Sequence, residues 1–132
     1  LATKMSKEMN MPVCFNRKEV KDHGEGGSLI GAKPKGKVLV VDDVISSGLA
    51  IRESLDFLKP FDIELVGALV TLDRQEIGQN SDLSASAELQ KDGLNVFSVI
   101  SLDDLLDANE LIDSSSIEAI RDYRNIYQGK NV

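Results

Sequence analysis

Apolar residues at positions 1, 5 and 9 recur every four residues and predict an amphipathic helix, ended by Met11-Pro12. Pro12 to Asn16 reads as a short strand. Between Arg17 and Gly36 charges and glycines replace the pattern, which predicts a long functional loop over about 17–36. The aliphatic run at 37–41 predicts a strand buried on both faces of a parallel sheet. A polar turn follows, then a helix over about 49–59 with Ile51, Leu55 and Leu58 on one side and Pro60 as its stop. Residues 63–72 predict a second buried strand, 73–81 a polar loop, and 83–91 a short helix with Gly93 as its C-cap. A strand at 96–100 leads to Ser101, the expected cap of a helix containing Leu102, Leu105 and Leu106. Ser115-x-x-Glu118 reads as the capping box of a last helix. Strands alternating with helices predict an α/β fold: a mostly parallel sheet, flanking helices and right-handed crossovers. Ligands in such folds bind at the carboxyl ends of the strands.

Composition narrows this picture. A chain of 132 residues, 42% hydrophobic and 28% charged, fits one globular domain. No apolar run approaches the roughly 18 residues of a membrane span, and the N-terminus lacks a signal-peptide pattern. One cysteine and one histidine exclude an internal disulfide and argue against a Cys/His metal site, pointing to a reducing, cytoplasmic setting. The net charge of −7 is uneven: residues 1–37 carry eight Lys/Arg against four Asp/Glu, and the remainder seven against eighteen. An acidic body argues against general nucleic-acid binding, while a short basic segment suits a small anionic ligand. Cys14 reads as a small apolar strand residue; Glu88, Asp92 and the acidic stretch 103–113 read as solvated helix faces. The first residue is Leu, already in helical pattern, so a piece of a longer protein is expected.

The densest chemistry is Val38-Leu39-Val40-Val41-Asp42-Asp43-Val44-Ile45-Ser46-Ser47-Gly48. Two acids at the end of a buried strand need a diol or a cation to offset their desolvation. Ser46-Ser47-Gly48 then opens a helix whose free N–H groups and hydroxyls suit a phosphomonoester. Together these amount to a ribose-5-phosphate site. The string closely resembles the phosphoribosyl pyrophosphate (PRPP) motif of type I phosphoribosyltransferases. Receiver domains also open with such a run. There, however, the strand is N-terminal and a third Asp ends a more distant strand, whereas Asp73 follows too soon and a helix, a strand and a loop come first. An NTPase reading fails for want of a G-x-x-x-x-G-K-[ST] motif.

Two further stretches resemble the orotate phosphoribosyltransferase family in particular. Phe15-Asn16-Arg17-Lys18-Glu19-Val20-Lys21-Asp22-His23-Gly24-Glu25-Gly26-Gly27 matches the form F-N-R-K-x-x-K-D-H-G-E-G-G at every fixed position. Thr71-Leu72-Asp73-Arg74-Gln75-Glu76 is similar to the S/T-L-D-R-Q-E string. The resemblance implies a Rossmann-like core and transfer of the 5-phosphoribosyl group from PRPP to orotate, giving orotidine 5′-monophosphate in pyrimidine biosynthesis. It implies Mg²⁺ held through PRPP, with no metal ligand directly from the protein. Arg17, Lys18, Lys21 and His23 would bind pyrophosphate, with Lys21 and His23 catalytic. Asp42, Asp43, Val44, Ile45, Ser46, Ser47, Gly48, Leu49 and Ala50 would form the PRPP site. Ser46, where the family commonly has Thr, would contact orotate together with Arg74. It also implies a homodimer whose glycine-rich loop serves the neighbouring subunit. Family members carry, before this helix, an aromatic-rich hood over orotate and a G-x-A-Y-K-G turn. The chain starts at Leu1-Ala2-Thr3, where that turn has ended, so a C-terminal fragment with poor or no turnover alone is expected. The alternative is a phosphoribosyl-fold module that binds PRPP or nucleotide without chemistry; the intact pyrophosphate-gripping residues favour the enzyme.

Overall fold

Local sequence rules account for most of the elements in a computed structural model of the chain, which describes residues 1–16 and 29–131. Helix α1 (Ala2–Met9) ends at Asn10 in the left-handed conformation, just before Met11-Pro12. Strands β1 (Cys14–Asn16) and β2 (Leu29–Gly31) pair antiparallel, Cys14 opposite Gly31. The expected loop over 17–36 therefore contains a strand: an apolar pair before a glycine is too short to show periodicity, and pairing with β1 makes it one. Gly31 sits at φ +103°, where a Cβ would lie 2.4 Å from the carbonyl of Val13. Only glycine fits there.

The main sheet has the order β3-β4-β5 and is parallel throughout. Its strands are β3 (Gly36–Ile45), β4 (Ile63–Asp73) and β5 (Val96–Ser101). Helices α2 (Leu49–Leu58), α3 (Ala85–Lys91), α4 (Leu102–Asp107) and α5 (Ser114–Tyr127) complete the chain, with a short 3₁₀ turn at Asn109–Leu111. Strand β3 runs four residues beyond the expected end at 41, so the Asp pair lies inside the ladder, with Asp42 opposite Val70. Backbone pairing with β4 continues there whatever the side chains are. The register shift between Val38 and Leu39 skips Val66, and a Cβ on the next residue, Gly67, would lie 2.4 Å from the Asn95 carbonyl.

Burial corrects the reading of both strand runs. Val40, Ala68 and Val96 lie side by side, and Val40, Ala68 and Val70 join Ile45, Ile51, Leu58, Ala85, Leu89 and Leu94 in the core. One residue along each strand, Val41, Leu69 and Phe97 share the opposite face, where Phe97 is 50% and Val99 67% exposed. Among the described residues the sheet is covered on one face only. An unbroken aliphatic run looks the same whether one or two faces are packed, which is why the pattern could not separate the cases.

The caps differ in detail. Ser101 forms a capping box with Asp104, as its position predicts. The last helix is instead capped by Asp113, whose carboxylate accepts from Ser116 N, and Ser115 lies within the helix. A carboxylate is both an acceptor and a charge matched to the helix N-terminus, so it prevails over a neighbouring serine.

Candidate functional site

The carboxyl end of β3 and the start of α2 enclose one pocket of about 270 Å³. Asp42, Val44, Ile45, Ser46, Ser47, Gly48, Leu49, Ala50, Ile51 and Glu53 line it. The expected PRPP residues from 42 to 50 are therefore brought together with one exception: Asp43 is not in the pocket wall. Adjacent strand residues face opposite sides of a sheet, and the Asp43 carboxylate accepts from Val44 N at 2.9 Å. Asp42 Oδ1 accepts from Asp43 N at 2.9 Å, which leaves its second oxygen to the pocket.

The turn from Ser46 to Ala50 has the chemistry of an anion cradle. Its N-cap is Gly48 at φ +79°, with no side-chain hydrogen bond capping the helix. The first-turn amides of α2 thus keep their donors for a ligand. A Cβ on Gly48 would touch Ala85 and Leu89 at 3.4 and 3.5 Å, so α3 backs directly onto the turn.

Behind this contact lies an ionic hub invisible to the sequence pattern. Glu88 is only 4% exposed, not the solvated residue expected. It accepts from Arg52 Nη2 at 2.7 Å, Ser81 Oγ at 2.8 Å, Asn80 N at 2.9 Å and Gln79 N at 3.1 Å. Burial pushes the carboxyl up, but these donors outweigh it and hold it at about 2. Arg52 also donates to Asp92 at 3.0 Å, so that acid too is paired and not merely solvated. The network ties α2, which carries the anion cradle, to α3 and to the loop after β4.

Arg74 follows the last residue of β4. Its N–H donates to the carbonyl of Ile45 at 3.1 Å, which places it beside the start of the Ser46 turn. Gln75 takes a left-handed φ of +53° and is 8% exposed. That conformation is uncommon for a residue with a Cβ and is held by its surroundings. Gln75 N donates to Asp73 at 2.8 Å, its side chain exchanges two 3.0 Å hydrogen bonds with Asp103, and its carbonyl accepts from Gly129 N at 2.9 Å. Asp103 also meets Arg124 at 2.7 Å, so the acidic 103–113 stretch is not uniformly a solvated face. The Arg74 side chain meets Glu76 at 2.8 Å through Nε, donates through Nη2 to the Tyr123 hydroxyl, and lies 4.9 Å from the centre of the Tyr123 ring.

Cys14 is half-buried in β1, and burial raises its thiol above the ordinary range, in keeping with an unreactive strand residue. Arg17, Lys18, Lys21 and His23 lie outside the described residues. No signal in the sequence marks the roles of Glu88, Gln75 and Tyr123, because each acts through partners distant along the chain.

A model of the phosphoribosyl transferase domain matches residues 1–100. The chain belongs to the phosphoribosyl transferase family. Within that family it is 50% identical over 124 residues to the orotate phosphoribosyltransferase of Proteus mirabilis and 46% identical over 123 residues to that of Photorhabdus laumondii. Each alignment covers 91% of this chain and 57% of the relative, so the chain spans little more than half the length of these family members. The crystal structure of orotate phosphoribosyltransferase from Francisella tularensis superposes with a TM-score of 0.69 at 30% identity, covering 97% of this chain and 62% of that one. The structure of Leishmania donovani UMP synthase gives 0.72 at 28%, covering 96% and 26%. The α/β architecture expected from the sequence is thus the family's own. No helix among the described residues is long and apolar enough to cross a membrane.

Proposed function

We propose that this chain is the PRPP-binding part of an orotate phosphoribosyltransferase, transferring the 5-phosphoribosyl group of PRPP to N1 of orotate with release of pyrophosphate. The observation that carries the proposal is the junction of the Asp42 pocket, the uncapped Ser46–Ala50 turn and Arg74 at the carboxyl ends of two neighbouring strands. Relatives about half identical that bear this name support it. Asp42 holds the ribose hydroxyls from the pocket wall, and the turn binds the 5′-phosphate through backbone amides and the Ser46 and Ser47 hydroxyls. Arg74, with Ser46, grips the orotate carboxylate through charge-assisted hydrogen bonds.

Pyrophosphate departure falls to Arg17, Lys18, Lys21 and His23, with Lys21 and His23 neutralising charge as the bond to C1 breaks. The protein works as a homodimer in which the segment carrying these residues serves the partner's site, in the cytoplasm. Among the described residues no three His, Cys, Asp or Glu side chains form an ion cage. Two carboxylates, Asp42 and Glu53, line the pocket, short of a protein cage, which fits a Mg²⁺ carried in on PRPP and held by phosphate and water oxygens. Bound there, Mg²⁺ supplies charge neutralisation on the pyrophosphate.

The decisive test follows orotate absorbance in a mixture of the intact protein, PRPP and Mg²⁺. Orotate should be consumed only when PRPP is present. Lys21→Ala should lower kcat by roughly 100-fold while leaving orotate binding nearly unchanged. Undiminished turnover in that variant would remove the glycine-rich segment from the mechanism.

A further inference from the structure

Arg74 does not stand alone at the end of β4. Its Nε meets Glu76 at 2.8 Å, and its Nη2 donates to the Tyr123 hydroxyl, which itself donates to the same Glu76 oxygen. The Tyr123 ring lies 4.9 Å from the guanidinium carbon. Two oxygens from distant parts of the chain, Glu76 Oε1 and the Tyr123 hydroxyl, thus close a ring of contacts around one edge of the guanidinium. Arginine has five donors in a rigid plane, and this arrangement occupies the Nε edge and one Nη2 proton. Among the described residues, Nη1 donates to no protein atom. The free edge is the one that can offer two parallel N–H groups to a carboxylate.

A flexible arginine would lose rotamer entropy on binding a ligand. A guanidinium fixed beforehand loses less. Glu76 alone could not do this, because a single ion pair at a partly exposed site holds its partner loosely. The hydroxyl of Tyr123 supplies the second contact, and its ring supplies a surface that sets the guanidinium plane. Tyr123 in turn stacks against Tyr127 at 4.8 Å, one helical turn along α5. The brace is therefore part of the helix and not a mobile tip.

We infer that Tyr123, with Glu76, is a positioning residue that holds Arg74 ready for the carboxylate of the acceptor base, an inference that rests on the orotate reading above. Tyr123→Phe keeps the ring and removes both hydrogen bonds; Tyr123→Leu removes the ring as well; Glu76→Ala removes the other arm. In the intact protein, Tyr123→Phe should raise KM for orotate roughly tenfold, as expected for losing hydrogen bonds that position a charged group. KM for PRPP, kcat and the melting temperature should stay where they were. Tyr123→Leu should raise the same KM further, and Glu76→Ala should raise it too.

An unchanged KM for orotate in Tyr123→Phe would overturn the inference, as would a parallel rise in both KM values, which signals general loosening. A second measurement needs no turnover. Exchange of the Arg74 Nε proton with water, followed by NMR, should be slow in the parent protein and at least tenfold faster in Tyr123→Phe and Glu76→Ala. Equal exchange rates would sink the brace whatever the substrate. A parent protein inert toward orotate would overturn the proposed function and the carboxylate named here, while the exchange rates would still decide whether the brace exists.

Discussion

Glu88 is a carboxylate almost removed from water, and five residues depend on where it sits: Arg52, Gln79, Asn80, Ser81 and, through Arg52, Asp92. Its folded value of about 2 lies below the ordinary 4.5. A carboxylate shifted down stabilises the fold fully above its unfolded value and loses that contribution as the pH falls through about 4.5 toward about 2. Glu88→Gln removes the charged acceptor buried against Arg52 and leaves that arginine only Asp92, so it should cost about 2 kcal/mol at pH 7. The gap between parent and variant should narrow as the pH drops below 4.5, and urea denaturation at pH 7 and pH 3 measures both. A gap that stayed constant between those two pH values would mean that the charge of Glu88 contributes nothing. Sequence could not reveal this residue. It falls in Ala85-Ser86-Ala87-Glu88-Leu89, a run of five buried positions with no polar face to mark, and its donors come from a loop and from a helix 36 residues earlier.

At the scale of elements, α5 matters more than its remote position suggests, because it carries Tyr123 to the end of β4. Asp113 starts that helix, accepting from Ser115 Oγ at 2.5 Å, Ser116 Oγ at 2.6 Å and Ser116 N at 2.9 Å. These hydrogen bonds hold its carboxyl well below the usual carboxylate range. Asp113→Ala should lower the melting temperature, read by circular dichroism, whereas Ser115→Ala should change it less. Equal losses would make Ser115 as important to the cap as Asp113. The elements themselves were largely legible: strands at 37–41, 63–72 and 96–100 and helices at 49–59 and 83–91 follow from periodicity and caps. Their ends were not. A strand's length is set by how far its neighbour pairs with it, so β3 continues through Asp42 and Asp43 to Ile45. Likewise β2 exists only because β1 is there to receive it. The Asp42 pocket and Arg74 were legible because their chemistry is packed into short strings, while the groups that hold them are spread over the fold.

At the scale of the molecule, the sheet divides the apolar residues into those that hold the fold and those that do not. Val70 is fully buried, and Phe97, on the adjacent strand and the opposite face, is half exposed. Val70→Ala should cost about 2 kcal/mol. Phe97→Ser should cost well under half of that in this chain, with denaturant midpoints as the measure. Equal costs would show that the outer face is packed as firmly as the inner one. The turn at Arg74 draws its support from still farther away. Tyr123 reaches it across 47 to 49 residues, Gly129 donates to Gln75, and Lys130 and Ser84 pair through their backbones. A Cβ on Gly129 would lie 2.4 Å from Ser84 N, so the two strands of chain lie nearly in contact. Such long-range closures form late, after the loop entropy between them has been overcome. During synthesis, Arg74 and Gln75 leave the ribosome about fifty residues ahead of the groups that shape them. The anion cradle at Ser46 can take form while the chain is still growing, but the arginine beside it must wait.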